Sequence, residues 1–335
     1  MKTLKAAVIG CGRIAHGYDA DPKCKEILTH INAYKNVRGV ELVAVCDKDF
    51  TKAQEVAAVR KINHSYSNYV EMLTREDVDM VSVCTPPSSH AAIVKDIARR
   101  GLVKAIFCEK PMAESKAQAL GMIDACKEAG IFLQIAHLRR FDKMHQQIRT
   151  KIQANAWGRI QAANFYYSGG VRNTGSHMFD LLRFYFGEAH WVQAHESANP
   201  SGRPGDPNID GFVQFKGGLL ASFQALDHTK FLIFEMDCIF EHARVVIKRS
   251  GLAADFYKAV DSSMFKGYRE LVQATAPFKT QYQRSEMVGA VNELVATIRT
   301  GHSSISTGTD GMEAMVLIDA SLKSAHTRGK KVWVS

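Results

Sequence analysis

Lys110 follows the apolar, β-prone run Ala105-Ile106-Phe107-Cys108 and precedes Pro111, within Phe107-Cys108-Glu109-Lys110-Pro111-Met112. The run reads as a buried strand, and the proline keeps it from simply continuing. A lysine fixed at a strand end can hydrogen-bond a ligand oxygen and stabilise negative charge developing on it. A second stretch, Gly169-Gly170-Val171-Arg172-Asn173-Thr174-Gly175-Ser176-His177-Met178-Phe179-Asp180, contains an imidazole. A neutral imidazole can accept a hydroxyl proton near neutral pH. Asn173 precedes His177 by four residues and Asp180 follows it by three, so all three can share one helix face. Neither stretch decides the matter alone. A Glu-Lys pair at a strand end also suits a solvated surface, and a histidine at a helix start also suits a structural role. Arg172 can bind an anionic group or face solvent.

A third stretch supplies context. Lys5 to Ile9 reads as a strand and runs into Gly10-Cys11-Gly12-Arg13-Ile14-Ala15, a G-x-G-x-x-A pattern. After a strand, that pattern suits a dinucleotide: the first glycine for the tight turn, the second for approach of a pyrophosphate, the alanine for close helix packing. The next strand, Val40 to Cys46, ends at Asp47. An acid about 20 residues past the glycines is expected to bond the adenosine ribose. Asp47 lies farther on, and a looped insertion over His16 to Lys25 accounts for the excess. Asp47 can equally open a turn before the following helix.

The positioning elements follow from periodicity. Helices are expected over Phe50 to Val59, Tyr69 to Leu73, Ala91 to Arg100 with a Ser88 or Ser89 cap, and Ser115 to Glu128. Strands are expected over Asp79 to Cys84, Ala105 to Cys108 and Ile131 to Ala136. This alternation predicts a doubly wound parallel sheet, an α/β Rossmann domain over residues 1–138. Residues 139–335 change rhythm. A helix (Asp142 to Asn155), a strand (Gly158 to Tyr167) and a helix (Ser176 to Phe186) precede five strand-like runs, with Gly217-Gly218 as a hairpin turn. Helices near Ser285 to Arg299 and Asp310 to His326 close the chain, the latter with Asp310 to Glu313 as a capping box. This predicts an α+β domain with a large, mostly antiparallel open sheet. Met178, Leu181, Leu182 and Tyr185 fall at core spacing.

Composition narrows the class. The 335 residues suggest two domains. Hydrophobic content of 46% with 23% charged residues is that of a soluble globular chain, and no apolar run is long enough to span a membrane. The seven cysteines are scattered without a C-x-x-C pair, so no metal site is expected and a reducing cytoplasm fits best. The net charge of +9 is spread along the chain, which favours an anionic cofactor over nucleic acid.

With these motifs in order, the chain resembles the Gfo/Idh/MocA oxidoreductases. The resemblance rests on Gly10 and Gly12, Thr85-Pro86 with His90, Glu109-Lys110-Pro111, Arg139-Arg140-Phe141 and G-x-H-x-x-D from Gly175 to Asp180. It implies nicotinamide-dependent hydride transfer on a sugar, polyol or sugar derivative by a homodimer or homotetramer formed through the second sheet. It implies cofactor contacts from Gly10, Gly12, Arg13, Ile14, Asp47, Thr85, Pro86, His90, Glu109 and Lys110. Substrate contacts are implied for Lys110, Arg140, Arg172, Asn173 and His177, with Lys110, His177 and Asn173 catalytic. The family commonly has aspartate where this chain has Asn173, and an amide cannot lend a carboxylate's charge to an imidazole. Asp47 favours NAD over NADP, although Lys48 is adjacent. A non-catalytic nucleotide-binding regulator is the rival expectation. An enzyme that retains its cofactor through paired oxidation and reduction is another.

Overall fold

The computed structural model describes residues 2–21, 23–279 and 286–334. Pro22 of the expected insertion and the expected helix start at Ser285 lie outside them. The chain divides into two compact units, Met1–Asp142 with Arg284–Met312, and Lys143–Gln283 with Glu313–Ser335. A single cut after residue 138 therefore does not describe the division. The late segment 286–312 belongs with the first unit.

The first unit is built on six parallel strands in the order β3-β2-β1-β4-β5-β6. These are β1 (Leu4–Ile9), β2 (Val40–Cys46), β3 (His64–Tyr66), β4 (Met80–Val83), β5 (Ala105–Cys108) and β6 (Phe132–Ile135). Every residue of β4 and β5 is buried, as continuous apolar runs between helical layers must be. The helices are α1 (His30–Asn36), α2 (Phe50–Arg60), α3 (Tyr69–Glu76), α4 (Pro87–Arg100) and α5 (Lys116–Glu128). Strand order reverses at β1, between β2 and β4, and ligands bind at such a switch point beyond the strand ends.

Local physics revises several expected boundaries. The segment after the glycines is a single helical turn, Arg13–Gly17. The buried Asp19 carboxylate then closes the insertion by accepting the Leu28 and Thr29 N–H groups at 3.0 and 3.1 Å. α4 starts at Pro87, four residues before the expected Ala91, because proline at the first helical position has its φ preset and needs no N–H partner. Ser89 is inside the first turn and bonds the Pro86 carbonyl at 2.8 Å, so neither serine is the cap. The three-residue edge strand β3 is too short to show a periodic pattern. The Lys110–Pro111 peptide is cis.

The second unit carries a nine-stranded sheet, ordered β14-β13-β12-β11-β7-β10-β9-β8-β15. Its strands are β7 (Ile160–Tyr167), β8 (Ala189–Glu196), β9 (Ile209–Phe215), β10 (Leu220–Ala225), β11 (Phe234–Phe240), β12 (Ala243–Lys248), β13 (Ala253–Asp261), β14 (Arg269–Ala274) and β15 (Val332–Trp333). Neighbours are antiparallel except β7 with β10. Gly218, at φ +92°, makes the β9–β10 hairpin turn. Alternate residues of β11 and β12 are buried, so one face of the sheet is packed. The helices are α6 (Lys143–Gln153), α7 (Gly175–Phe186) and the later part of α9 (Gly308–His326), while α8 (Glu286–Thr300) belongs to the first unit. Phe179 of α7 stacks edge-on against Phe223 at 5.2 Å, which fixes α7 on the sheet. α9 begins two residues before Asp310. Thr307 and Asp310 form the capping box, with Asp310 Oδ2 accepting the Thr307 N–H at 2.9 Å.

Candidate functional site

A cleft of about 810 Å³ opens in the first unit beyond the ends of β1, β2 and β4. Gly10, Gly12, Asp47, Thr85 and Pro86 line it. Gly10 has φ +93°, and a Cβ there would lie 2.8 Å from the backbone of Cys84 and Thr85. Only glycine can make this turn against the end of β4. Gly12 differs. Its φ of −82° suits any residue, and nothing lies within 4 Å of where its Cβ would be. The protein itself does not need Gly12 to lack a side chain. A group approaching the backbone does, so the cradle fits a dinucleotide pyrophosphate.

Asp47 fastens this loop. Its Oδ2 accepts the Cys11 N–H at 2.8 Å, and its Oδ1 accepts the Asp49 N–H at 3.1 Å. It thus opens a turn and also holds a carboxylate on the cleft wall, so the two expectations for it are compatible. Lys52 Nζ lies 3.7 Å from Oδ2, and both Lys48 and Lys52 line the cleft. Sequence reasoning missed Lys52, which no motif marks. Burial foremost, with the Asp47 charge, pushes the Cys11 thiol up to about 12, so this loop cysteine stays a protonated, inert thiol. Replacing Asp47 with alanine is expected to weaken NAD binding by roughly 10-fold and narrow the preference over NADP. Titration of both cofactors checks this. An unchanged ratio would remove Asp47 from ribose recognition.

The remaining expected cofactor residues do not line this cleft. Arg13 is exposed, its guanidinium 4.9 Å from the Tyr18 ring centroid, and Ile14 lines a separate pocket with Tyr18 and Ile27. His90 is wholly buried, with Nδ1 3.0 Å from the Pro111 carbonyl and Nε2 2.8 Å from the Thr85 carbonyl. It staples the Thr85 turn to the segment after Lys110. Glu109 also faces inward. Its buried carboxylate receives His30 Nε2 at 2.9 Å and the Lys110 N–H at 3.1 Å.

Behind Glu109 runs a buried polar chain. His30 Nδ1 lies 2.8 Å from Ser82 Oγ, which lies 2.7 Å from the Tyr34 hydroxyl. One direction of donation satisfies it: Tyr34 to Ser82, Ser82 to His30, His30 to Glu109. Burial, the largest influence, raises the Glu109 carboxyl, but the His30 hydrogen bond and the Lys110 charge hold it below its ordinary value. Burial likewise pushes the Tyr34 phenol up. The chain fixes the end of β5, from which Lys110 projects half-buried.

Arg140, expected at the substrate, is held by contacts within the first unit. It is 5% exposed, with Nη1 3.0 Å from both the Ile305 carbonyl and Asp310 Oδ1. Removing one member of such a pair strands the other. Arg140→Ala is therefore expected to cost about 3 kcal/mol of stability in chemical denaturation. A raised KM with unchanged stability would restore it to the substrate.

In the second unit, Gly170–Thr174 forms a helical turn that runs unbroken into α7. Asn173 therefore stands one turn before His177 on the same face, as its spacing predicts. The Asn173 amide donates to the Gly169 carbonyl at 3.4 Å and lies 3.2 Å from Thr174 Oγ1. His177 is half-buried and Asp180 buried. Arg172 is 52% exposed and 3.5 Å from Asp319, a half-exposed carboxylate. Such pairs contribute about 0–1 kcal/mol. Sequence reasoning missed Asp206, whose carboxylate accepts the Arg172 and Asn173 N–H groups at 2.7 and 3.0 Å.

Comparison with known proteins agrees with this geometry. Residues 4–137 match the model of an oxidoreductase family with an NAD-binding Rossmann fold, and residues 139–231 match the GFO/IDH/MocA C-terminal domain. A D-apiose dehydrogenase from Paraburkholderia graminis is 25% identical, over 97% of this chain and 88% of its own. An inositol 2-dehydrogenase from Rhizobium meliloti is 24% identical, over 96% and 97%. A levoglucosan dehydrogenase, solved with NADH and L-sorbose, shares the fold at a TM-score of 0.82 with 19% identity, covering 100% of both chains. The chain belongs to the GFO/IDH/MocA family of NAD-dependent oxidoreductases.

Proposed function

We propose that this enzyme moves hydride between NAD and an alcohol carbon of a sugar, polyol or sugar derivative. The observation that carries the reading is Gly12, an open backbone position beside the Asp47 carboxylate in a cleft at the switch point. The names of the relatives, apiose and inositol dehydrogenases, support this substrate class. Gly10, Gly12 and Asp47 would hold NAD, which when bound accepts hydride from the alcohol carbon or returns it to a carbonyl. Lys110 hydrogen-bonds the reacting oxygen, and its ammonium stabilises negative charge growing there. His177 holds the hydroxyl proton at an imidazole nitrogen, and Asn173 orients it or the substrate. The first unit is then the cofactor domain and the second the substrate domain. Among the described residues no helix is long and apolar enough to cross a membrane. Free cysteines, six of them buried, support a reducing cytoplasm.

Self-association through the second sheet belongs to the same proposal. Tyr166, Phe212 and Leu220 are exposed on β7, β9 and β10, and the edge strand β14 leaves Leu271 and Val272 exposed. Unpaired apolar edges and patches favour contact with another chain. The test of function is NADH formation across free sugars, polyols, sugar phosphates and nucleotide-linked sugars. Turnover of a sugar or polyol supports the reading. NAD binding without turnover anywhere in the panel would favour a nucleotide-binding regulator.

A further inference from the structure

We propose that Asp206 is a positioning residue for Asn173 and His177, an inference that rests on the catalytic role given to His177 above. The first N–H groups of a helical segment have no carbonyl one turn earlier to receive them. Here those of Gly170, Val171, Arg172 and Asn173 are all received by one short segment, Asp206-Pro207-Asn208. Asn208 Oδ1 accepts from Gly170 at 3.0 Å, and the Pro207 carbonyl accepts from Val171 at 2.9 Å. The two Asp206 oxygens divide the remaining pair, Oδ1 taking Arg172 and Oδ2 taking Asn173.

The surroundings are shaped for that carboxylate. Gly170 has φ +90°, and a Cβ there would fall 2.2 Å from Asp206 Oδ2. Only glycine allows so close an approach. Asn208 is buried and anchored in turn, its Nδ2 donating to the Asn199 and Leu226 carbonyls at 3.1 and 3.0 Å. The bracket therefore ties the turn to the segment that follows β10. Hydrogen bonds from N–H groups to a carboxylate are stronger than those to neutral acceptors, and a negative charge is favoured at a helix start. Asp206 thus sets the backbone of Asn173, one turn ahead of His177. It also occupies two N–H groups that an anionic substrate group would need at this turn.

The test compares wild type, Asp206→Ala and Asp206→Asn at saturating NAD, with the sugar or polyol that gives the fastest NADH formation in the panel above. Misplacement of reacting groups lowers kcat steeply, so Asp206→Ala should lose roughly 10-fold to 10²-fold in kcat with NAD affinity retained. Asp206→Asn should lie between, because its single amide oxygen keeps one of the two bonds. A purely structural role would change the yield of folded enzyme or its melting temperature and leave kcat per folded enzyme unchanged. Should Asp206→Ala not fold, Asp206→Asn decides alone. Variants with kcat within about two-fold of wild type overturn the proposal. His177→Ala is the control. If it loses turnover while the Asp206 variants keep theirs, only the positioning role fails. If His177→Ala also retains turnover, the catalytic reading fails and this inference with it.

Discussion

Lys110→Ala should lower kcat by roughly 10²–10³-fold, the cost of removing one donor aimed at developing oxyanion charge. NAD affinity should stay within a few-fold of wild type, because Lys110 is not among the residues lining the Gly10 cleft. The expectation has a structural basis in how firmly the lysine's backbone is held. β5 is buried throughout, Glu109 receives the Lys110 N–H, and the His90 ring donates through Nδ1 to the Pro111 carbonyl at 3.0 Å. With the backbone fixed, only the side chain remains to be ordered when it meets a ligand. Steady-state kinetics with a parallel NAD titration separates the outcomes. Near wild-type turnover removes Lys110 from the mechanism, and loss of NAD affinity alone makes it a cofactor ligand.

His177→Ala should lower kcat by roughly 10²–10⁴-fold, the range for a positioned acid or base. Asn173→Asp extends the test to charge. A carboxylate one turn before His177 favours imidazolium over neutral imidazole. Oxidation needs the neutral ring, so the acidic limb of the pH–rate profile should move to higher pH. Reduction needs the protonated ring, so its basic limb should move the same way. The profiles of both directions check the sign. An unchanged profile in Asn173→Asp would mean that the two side chains do not communicate.

Much of this was legible in the sequence where the deciding contacts are local. The Gly10 and Gly12 turn, Asp47 at the end of β2 and the Asn173–His177 spacing are set by neighbours along the chain, and they fell where expected. What the sequence does not show is a partner brought in from elsewhere in the chain. The ion pair of Arg140 with Asp310, far along the chain, has no local signal. The contacts of His90 with Pro111 and of Glu109 with His30 have none either. Asp206 reads as one more polar residue in a Pro- and Gly-rich loop, yet it bonds Asn173 across 33 residues of chain. The strands β14 and β15 were missed for another reason. β14 is exposed on both faces and β15 is two residues long, so neither has the buried alternation that marks a strand.

The most direct measurement is NADH formation by the wild-type enzyme, Lys110→Ala and His177→Ala, each saturated with NAD and mixed with the best sugar or polyol of the panel. NAD binding is measured on the same preparations. The account predicts NADH formation by wild type, its loss in both variants and NAD affinity retained in all three. Wild-type turnover that survives in both variants would contradict it, as would NAD binding by all three with no NADH formed by any.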